Sequence, residues 1–381
     1  MVDPRLTRRR FLRASGLAAV TAVVPTLGCD RSKVTFLETP TAPVPMPVEV
    51  PEEGGPAELP AAPIISNDRF YLQSIKGQNY DPEIRAGQWS LAVDGLVDRP
   101  EQGLRYEAIT AMPLQRQVMT MQCIGNWIGG PLVGNAEWGG TPFRNLLDQV
   151  GVRQEAIRVK FTSVDGYTTS IPLERALREE VLLAWEMNGE TLPSKHGYPV
   201  RLINPGHYGQ KMPKWITRIE LIDDEYLGYW ERRPENKSFK WSDAAVATVN
   251  SRVDAPVSLW DDEKDPANGG VTYVYQTLRG EVGREYVVHG IAMAGERTVE
   301  LVEVSTDGGA TWEEATLTSR SEPNVWCTWS HPWSLPASGR YEILARATDS
   351  AGEAQPRKDE GPDLYDGRTG WHSVPVDVST T

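Results

Sequence analysis

The sequence predicts two folded parts of different class: an α+β domain, then an all-β sandwich of immunoglobulin type. Three observations carry this. Residues 31–63 are proline-rich with little periodicity, so order is expected to begin near Ile64. From there to about residue 245, strand-like alternation is interrupted by one strongly amphipathic helical pattern. Beyond residue 245 the chain becomes strand-like runs broken by Gly, Asp and Pro, with almost no helical pattern.

The elements follow in chain order. "TRRRFLRASGLAAVTAVVPTLGC" places Arg8-Arg9 before Phe11-Leu12, then an apolar stretch from Ala14 to Gly28. That stretch is too short to span a bilayer and has the layout of an export signal. It resembles the twin-arginine signal, whose pathway carries folded proteins, so residues 1–28 are read as a signal peptide and the periplasm or the outer face of the cytoplasmic membrane as the destination. Cys29 ends the stretch as "TLGC", similar to a lipobox with Thr26 at the usual aliphatic place. Lipid attachment at Cys29 and simple cleavage nearby both stay open. Residues 29–63 then form a tether.

In "GQWSLAVDGLV" (87–97), Trp89, Leu91 and Val93 share one face, as in a half-buried strand. "TPFRNLLDQVG" (141–151) is expected to be a helix: Thr141 to cap it, Pro142 in its first turn, Phe143, Leu146, Leu147 and Val150 on one face, Gly151 to close it. "IRVKF" (157–161) and "ITRIELI" (216–222) are strands, completing a domain over residues 64–245. In the second domain, residues 246–381, four runs at 285–292, 297–305, 325–335 and 340–349 are strands. "STDGGATW" (305–312) is a hairpin signal, with Asp307-Gly308-Gly309 to supply positive φ.

The formal net charge is −13, and removing residues 1–28 leaves 34 basic against 51 acidic residues. So acidic a chain is a poor nucleic-acid binder. GxSxG, a P-loop, HExxH and CxxCH are all missing, and the five histidines are scattered. The densest stretch is 163–218, where His196, Arg201 and Lys214 sit among glycines and prolines between two strands. Such a turn-rich segment suits a binding loop, and Arg with Lys suits a phosphate; surface charge is the plainer reading. Cys123, in "VMTMQCIGNWIGG", has four readings: buried packing, a disulfide with Cys327, a nucleophile, or a thiolate ligand to a metal whose other donors come from a cofactor.

A resemblance narrows these readings. "SIPL", "EVLLAWEMNGETLP", "HGYPVRL", "PGHYG" and "KWITRIEL" are similar, in order and spacing, to the molybdenum domain of the sulfite oxidase family. "MQCIGNW" resembles its cysteine segment and "VELVEVSTDGGATWEEA" its C-terminal dimerisation domain. The resemblance implies a molybdenum–molybdopterin cofactor with Cys123 as the one protein thiolate on the metal, the dithiolene supplying two more sulfurs. It assigns Tyr71, Leu72, Asp165, His196, Arg201, Met212, Pro213 and Lys214 to the pterin and its phosphate. It places Tyr226, Arg368, His207 and Gln73 at the substrate.

This chain departs from the family at two places. Gln73 stands where sulfite oxidases carry an anion-binding arginine, and Ile128 where a second arginine follows the cysteine by five positions. Two reactions are therefore expected in competition: oxygen-atom transfer to sulfite, or reduction of an S-oxide or N-oxide, whose neutral substrate suits fewer cations. A cofactor-free binding module is the reading from another class. With no haem segment apparent, electrons are expected to pass to a separate protein such as a cytochrome. A homodimer is implied by analogy only.

Overall fold

The computed structural model describes residues 59–232, 241–255, 282–357 and 366–379, with three two-residue strands between residues 264 and 279. The signal, Cys29 and the tether up to residue 58 lie outside the described residues. Order begins earlier than Ile64. The Pro60 carbonyl accepts from Arg320 N–H, and that of Pro63 accepts from Asn135 Nδ2 and Trp326 Nε1. Proline lacks an N–H but keeps its carbonyl, so a proline-rich stretch can still dock.

The first domain has two sheets. One runs β2–β1–β10–β5–β6, from β1 (Leu91–Gly95), β2 (Glu101–Leu104), β5 (Arg158–Ser163), β6 (Thr168–Pro172) and β10 (Ile216–Ile222). Only β1 and β10 pair in parallel, Val93 facing Ile219; the other pairs are antiparallel. The other runs β3–β4–β7–β8, from β3 (Gln115–Gln122), β4 (Val133–Pro142), β7 (Leu182–Met187) and β8 (Glu190–Thr191), with β9 (Arg201–Ile203) also on β7. Helices α1 (Tyr106–Thr110), α2 (Phe143–Val150) and α3 (Leu173–Ala176) pack against these sheets.

The predicted apolar faces form one core. Trp89, just before β1, and Leu91 and Val93 of β1 meet Phe143, Leu146 and Leu147 of α2 and Phe161 of β5. Each fully buried side chain of this size contributes roughly 1.5–3 kcal/mol. The helix starts later than its sequence suggests. Pro142 holds the cap position, and Thr141, still in β4, accepts from Asn145 Nδ2 instead of capping. Gly151, at φ +70°, ends the helix as expected.

The second domain is two mainly antiparallel sheets face to face. One runs β11–β15–β19–β18, from β11 (Asn250–Ala255), β15 (Glu285–Met293), β18 (Thr316–Leu317) and β19 (Cys327–Ser334). The other runs β14–β21–β20–β16–β17, from β14 (Leu278–Arg279), β16 (Val299–Ser305), β17 (Glu313–Glu314), β20 (Gly339–Asp349) and β21 (His372–Ser379), with β14 parallel to β21. The remaining short strands, β12 (Lys264–Asp265) and β13 (Gly270–Val271), pair with each other. Val253, Val288, Trp329, Val304, Ile343 and Val376 fill the space between the main sheets.

The 305–312 hairpin forms, but Asp307 acts through its side chain rather than positive φ. Gly308 and Gly309 take φ +74° and +90°. The Asp307 carboxylate accepts from Thr311 Oγ1 and from the N–H groups of Ala310 and Thr311, which hold its pKa down to about 2. Cys327 is buried in the sandwich, its thiol pushed up to about 12 chiefly by burial. Both described cysteines are free thiols, so the disulfide reading falls.

The two domains join close to Cys123. Trp326 N–H donates to Thr120 Oγ1, and Arg252 Nη1 donates to the Gly130 carbonyl. Arg175 Nη1 on α3 pairs with Glu296 of the second domain.

Candidate active site

Cys123 follows β3 directly and opens a tight loop. Its N–H donates to Leu132 O at 2.9 Å, and its carbonyl accepts from Asn126 N at 2.9 Å. Asn126 Oδ1 accepts from Leu132 N–H, so the loop is closed by its own polar groups. Cys123 is partly buried; desolvation pushes its thiol pKa up, and a hydrogen bond from Gly125 N–H opposes this. Tyr71, Tyr167 and Tyr208 all lie within electrostatic reach of the sulfur, each with its phenol pKa raised mainly by burial.

Gly125 leaves the sulfur an aromatic neighbour. A Cβ there would lie 3.5 Å from Trp241 Cζ2 and 3.9 Å from Cys123 Sγ. Trp127 stands in the same loop, 50% exposed, and the Arg368 guanidinium lies 4.8 Å from its ring centroid. Arg368 Nε is buried and has no partner among the described residues. The thiol's loop thus carries one indole, Trp241, packed against Gly125 beside the sulfur, and a second, Trp127, that holds a cation with an unused donor.

Behind the thiol is a basic cluster. Arg201 opens β9 and is buried, with its Cζ 4.8 Å over the Trp138 ring. Nη1 donates to His196 O at 2.8 Å and Nη2 reaches Met212 O and Met121 Sδ, but buried Nε has no partner. Burial pulls its pKa to about 10, against a raising effect from Tyr71. Lys214 Nζ donates to Lys195 O at 2.8 Å; burial, then Arg201, lower its pKa to about 7. His196 Nε2 lies 2.7 Å from Asn67 O, an acceptor only, so the neutral ring carries its proton there. Burial lowers the His196 pKa to about 4. Among the described residues neither Arg201 nor Lys214 forms an ion pair. Asp165 is within electrostatic reach of Lys214, but its Oδ1 accepts from Tyr167 N–H and burial raises its pKa.

Gly197 makes the cluster fit. At φ +123°, a Cβ on it would lie 3.0 Å from Arg201 Cβ and 3.2 Å from Lys214 Cβ. Met212 is buried, and the Pro213 carbonyl accepts from Leu202 N–H, pinning this segment to β9. Tyr71 comes close to Cys123 by way of Gly209, whose Cβ would lie 3.1 Å from the Tyr71 hydroxyl and 3.6 Å from Gln122 O. Leu72 and Gln73 follow directly, half-buried.

Two residues assigned by resemblance are not gathered here. The Tyr226 hydroxyl accepts from Arg232 Nη2 at 2.6 Å, and its ring lies against Arg232 and Lys160, with centroid distances of 4.5 and 4.7 Å. Its polar tip is therefore occupied by a surface cation. His207 Nδ1–H donates to Pro205 O at 3.1 Å, and its charged neighbours are Arg175, Glu296 and Lys211 rather than Cys123. Burial lowers its pKa, so it is a neutral ring near the domain junction.

Sequence reading also passed over Trp241 and a buried ionic network. Lys211, 1% exposed, pairs with Glu231 at 2.6 Å and Asp243 at 2.7 Å. Arg158 pairs with Asp243 at 2.8 Å and Glu225 at 2.7 Å. In "GQKMPK" Lys211 reads as one more surface charge, because its partners lie 20 and 32 positions away.

Comparison with known proteins identifies the family. Residues 78–230 match the model of the oxidoreductase molybdopterin binding domain, and residues 272–378 that of the Mo-co oxidoreductase dimerisation domain. Sulfite oxidase of Arabidopsis thaliana is 30% identical over 84% of this chain and 90% of its own length. The chain belongs to the sulfite oxidase family. It is a molybdopterin-dependent oxidoreductase whose cofactor is the molybdenum–molybdopterin group. Inducible nitrate reductase [NADH] 2 of Glycine max is also 30% identical over 75% of this chain, which spans 36% of that longer protein. The sulfane dehydrogenase SoxCD of Paracoccus pantotrophus shares the fold at a TM-score of 0.64, with 21% identity, covering 89% of this chain and 95% of that one.

The residues present fit the family's cofactor. A buried guanidinium with an unused Nε beside an unpaired ammonium suits the pterin's phosphate. The unpartnered buried Oε1 atoms of Gln122 and Gln210 suit donors of a pterin ring. Among the described residues no three His, Cys, Asp or Glu side chains could hold a metal ion, so a metal at Cys123 takes its other donors from the cofactor.

The neutral His196 sets a pH dependence. Its folded pKa of about 4 lies below the ordinary 6.5, so the unfolded chain binds the extra proton first. Stability is full above pH 6.5 and falls by up to about 3 kcal/mol between pH 6.5 and 4. Urea unfolding at pH 5 and 7 should show this slope reduced in His196→Gln; an unchanged slope places the acid sensitivity elsewhere.

Proposed function

We propose that this protein moves an oxygen atom to or from a small substrate at Cys123 and exchanges electrons with a separate redox protein. The observation that carries the reading is a basic cluster without a counter-anion among the described residues, reaching through Tyr71 to a thiol flanked by Trp241. When bound, the cofactor supplies a metal that cycles by two electrons and exchanges oxygen. The chain's part is to position. Arg201 and Lys214 would hold the phosphate, and neutral His196, its Nε2–H on Asn67 O, would leave Nδ1 as an acceptor for the pterin. Tyr71 borders the sulfur. Arg368 offers its unused Nε–H to an oxyanion, and the indoles limit the size of what reaches the metal.

Arg368 favours an anion such as sulfite. A second reading, reduction of a neutral S-oxide or N-oxide, is favoured by Gln73 standing where sulfite oxidases bring a further arginine. Loaded enzyme is tested in both directions: ferricyanide or cytochrome reduction with sulfite, and reduced-viologen consumption with sulfoxides. Turnover in neither direction by fully loaded enzyme overturns the reading. If the missing cation limits sulfite binding, Gln73→Arg lowers KM for sulfite by about tenfold. An unchanged KM means the pocket is remodelled elsewhere.

The remaining parts of the reading rest on sequence and family. Export by a twin-arginine signal, to the periplasm or the outer face of the cytoplasmic membrane, rests on residues 1–28, with a lipid tether at Cys29 as the membrane link. Homodimer formation through the immunoglobulin-type sandwich is supported by the dimerisation-domain match. A basic cytochrome suits the chain's acidic charge.

A further inference from the structure

Trp241 meets the Cys123 loop through its benzo edge: Cζ2 and Cη2 lie 3.5 and 3.7 Å from where a Gly125 Cβ would be, next to Sγ. The indole packs on the cluster of Ile124, Tyr208 and Ala245, so it is an apolar wall at the sulfur's side of the site. An aromatic ring in this place excludes water from one flank of the ligand.

The wall has an unusual mounting. The two residues after Trp241 are both tied to the short helical turn Gly209–Lys211: Ser242 O accepts from Gln210 Nε2 at 2.7 Å, and Asp243 Oδ1 accepts from Lys211 Nζ at 2.7 Å. Lys211 Nζ also donates to buried Glu231 Oε1 at 2.6 Å and to Ser170 O at 3.1 Å, so all three of its protons are used. Asp243 Oδ2 accepts from Arg158 Nη2, itself braced by Ser170 and Glu225. Burying a lysine with two carboxylates is a poor way to gain stability, since an apolar core of the same volume does as well. What the charges add is direction: they fix the backbone next to Trp241 to the same turn that leads into Met212 and Pro213.

We propose that Lys211, through Asp243, is a positioning residue that seats Trp241 against the Cys123 loop, and that Trp241 is the wall that keeps water and bulky groups from the ligand sulfur's flank. This rests on the reading of Cys123 as the metal ligand.

The test uses molybdenum-loaded full-length enzyme, poised in its paramagnetic one-electron state and exchanged into D2O. Electron spin echo modulation then counts deuterons near the metal. Trp241→Ala is expected to deepen the deuterium modulation by about twofold, and Trp241→Phe to leave it near wild type. Lys211→Met leaves Glu231 buried and unpaired and can fail to fold. Asp243→Asn is therefore the working variant, since Lys211 keeps Glu231 and Arg158 keeps Glu225. It is expected to deepen the modulation in the same direction, and to add nothing in a Trp241→Ala background. An unchanged echo in Trp241→Ala overturns the wall. A deeper echo there with none in Asp243→Asn, or full additivity in the double variant, overturns the positioning role. Loaded wild-type enzyme without protein sulfur on the metal sinks the ligand reading instead, and X-ray absorption on the same sample separates the two failures.

Discussion

Cys123→Ser is expected to lower turnover by at least about 100-fold while the fold and the pterin content stay intact, because a metal's donor atoms set its reactivity more strongly than the groups that orient them. The fold survives because the loop is closed by backbone groups that serine keeps: Cys123 N–H to Leu132 O, and Asn126 N–H to the Cys123 carbonyl. Serine also offers Gly125 N–H an oxygen in place of the sulfur. Pterin content survives because the basic cluster lies behind the loop on other elements, β9 and residues 195–214. The checks are turnover, near-ultraviolet circular dichroism and pterin release on one preparation. Activity within tenfold of wild type would make Cys123 a packing residue.

Arg201→Met should separate binding from folding. A buried guanidinium hydrogen-bonded to a phosphate contributes about 1.5–3 kcal/mol, so cofactor retention is expected to fall roughly 10- to 100-fold. The fold does not need this charge. Its pKa is already pulled down by burial, and its Nε is unused in the protein alone. Methionine can fill the space over Trp138, but His196 O and Met212 O lose their donor, so the Tm of cofactor-free protein should fall by no more than about 6 °C. Dialysis of loaded enzyme, with pterin and molybdenum measured in the retained fraction, reads the first effect; calorimetry of metal-free protein reads the second. A Tm lowered by ten degrees or more with cofactor fully retained would assign Arg201 to the fold.

The strands and the core were legible because they depend on period-two patterning: Trp89, Leu91 and Val93 fall on one buried face, as their alternation implies. Local polar choices were less so. Thr141 looks like a cap, yet pairing of Thr141 and Pro142 with Leu183 and Leu182 keeps them in β4. Asp307 looks like a positive-φ residue, yet its carboxylate organises the turn. Residues alone left Cys123 with four readings; resemblance selected one, and the structure adds Trp241 against its loop and the Trp127–Arg368 pair in that loop. Arg368 lies over a loop some 240 positions earlier in the chain, a closeness no linear pattern shows. The same motif matching placed Tyr226 and His207 at the substrate, whereas packing engages them with Arg232 and with the Arg175–Glu296 junction. Lys211 was missed for the converse reason: a lysine reads as surface, and only distant carboxylates make its burial tolerable.

Molybdenum K-edge X-ray absorption on fully loaded enzyme tests the central claim most directly. The account predicts one more sulfur neighbour in wild type than in Cys123→Ser, with the dithiolene pair unchanged. Equal sulfur counts in the two proteins would contradict it.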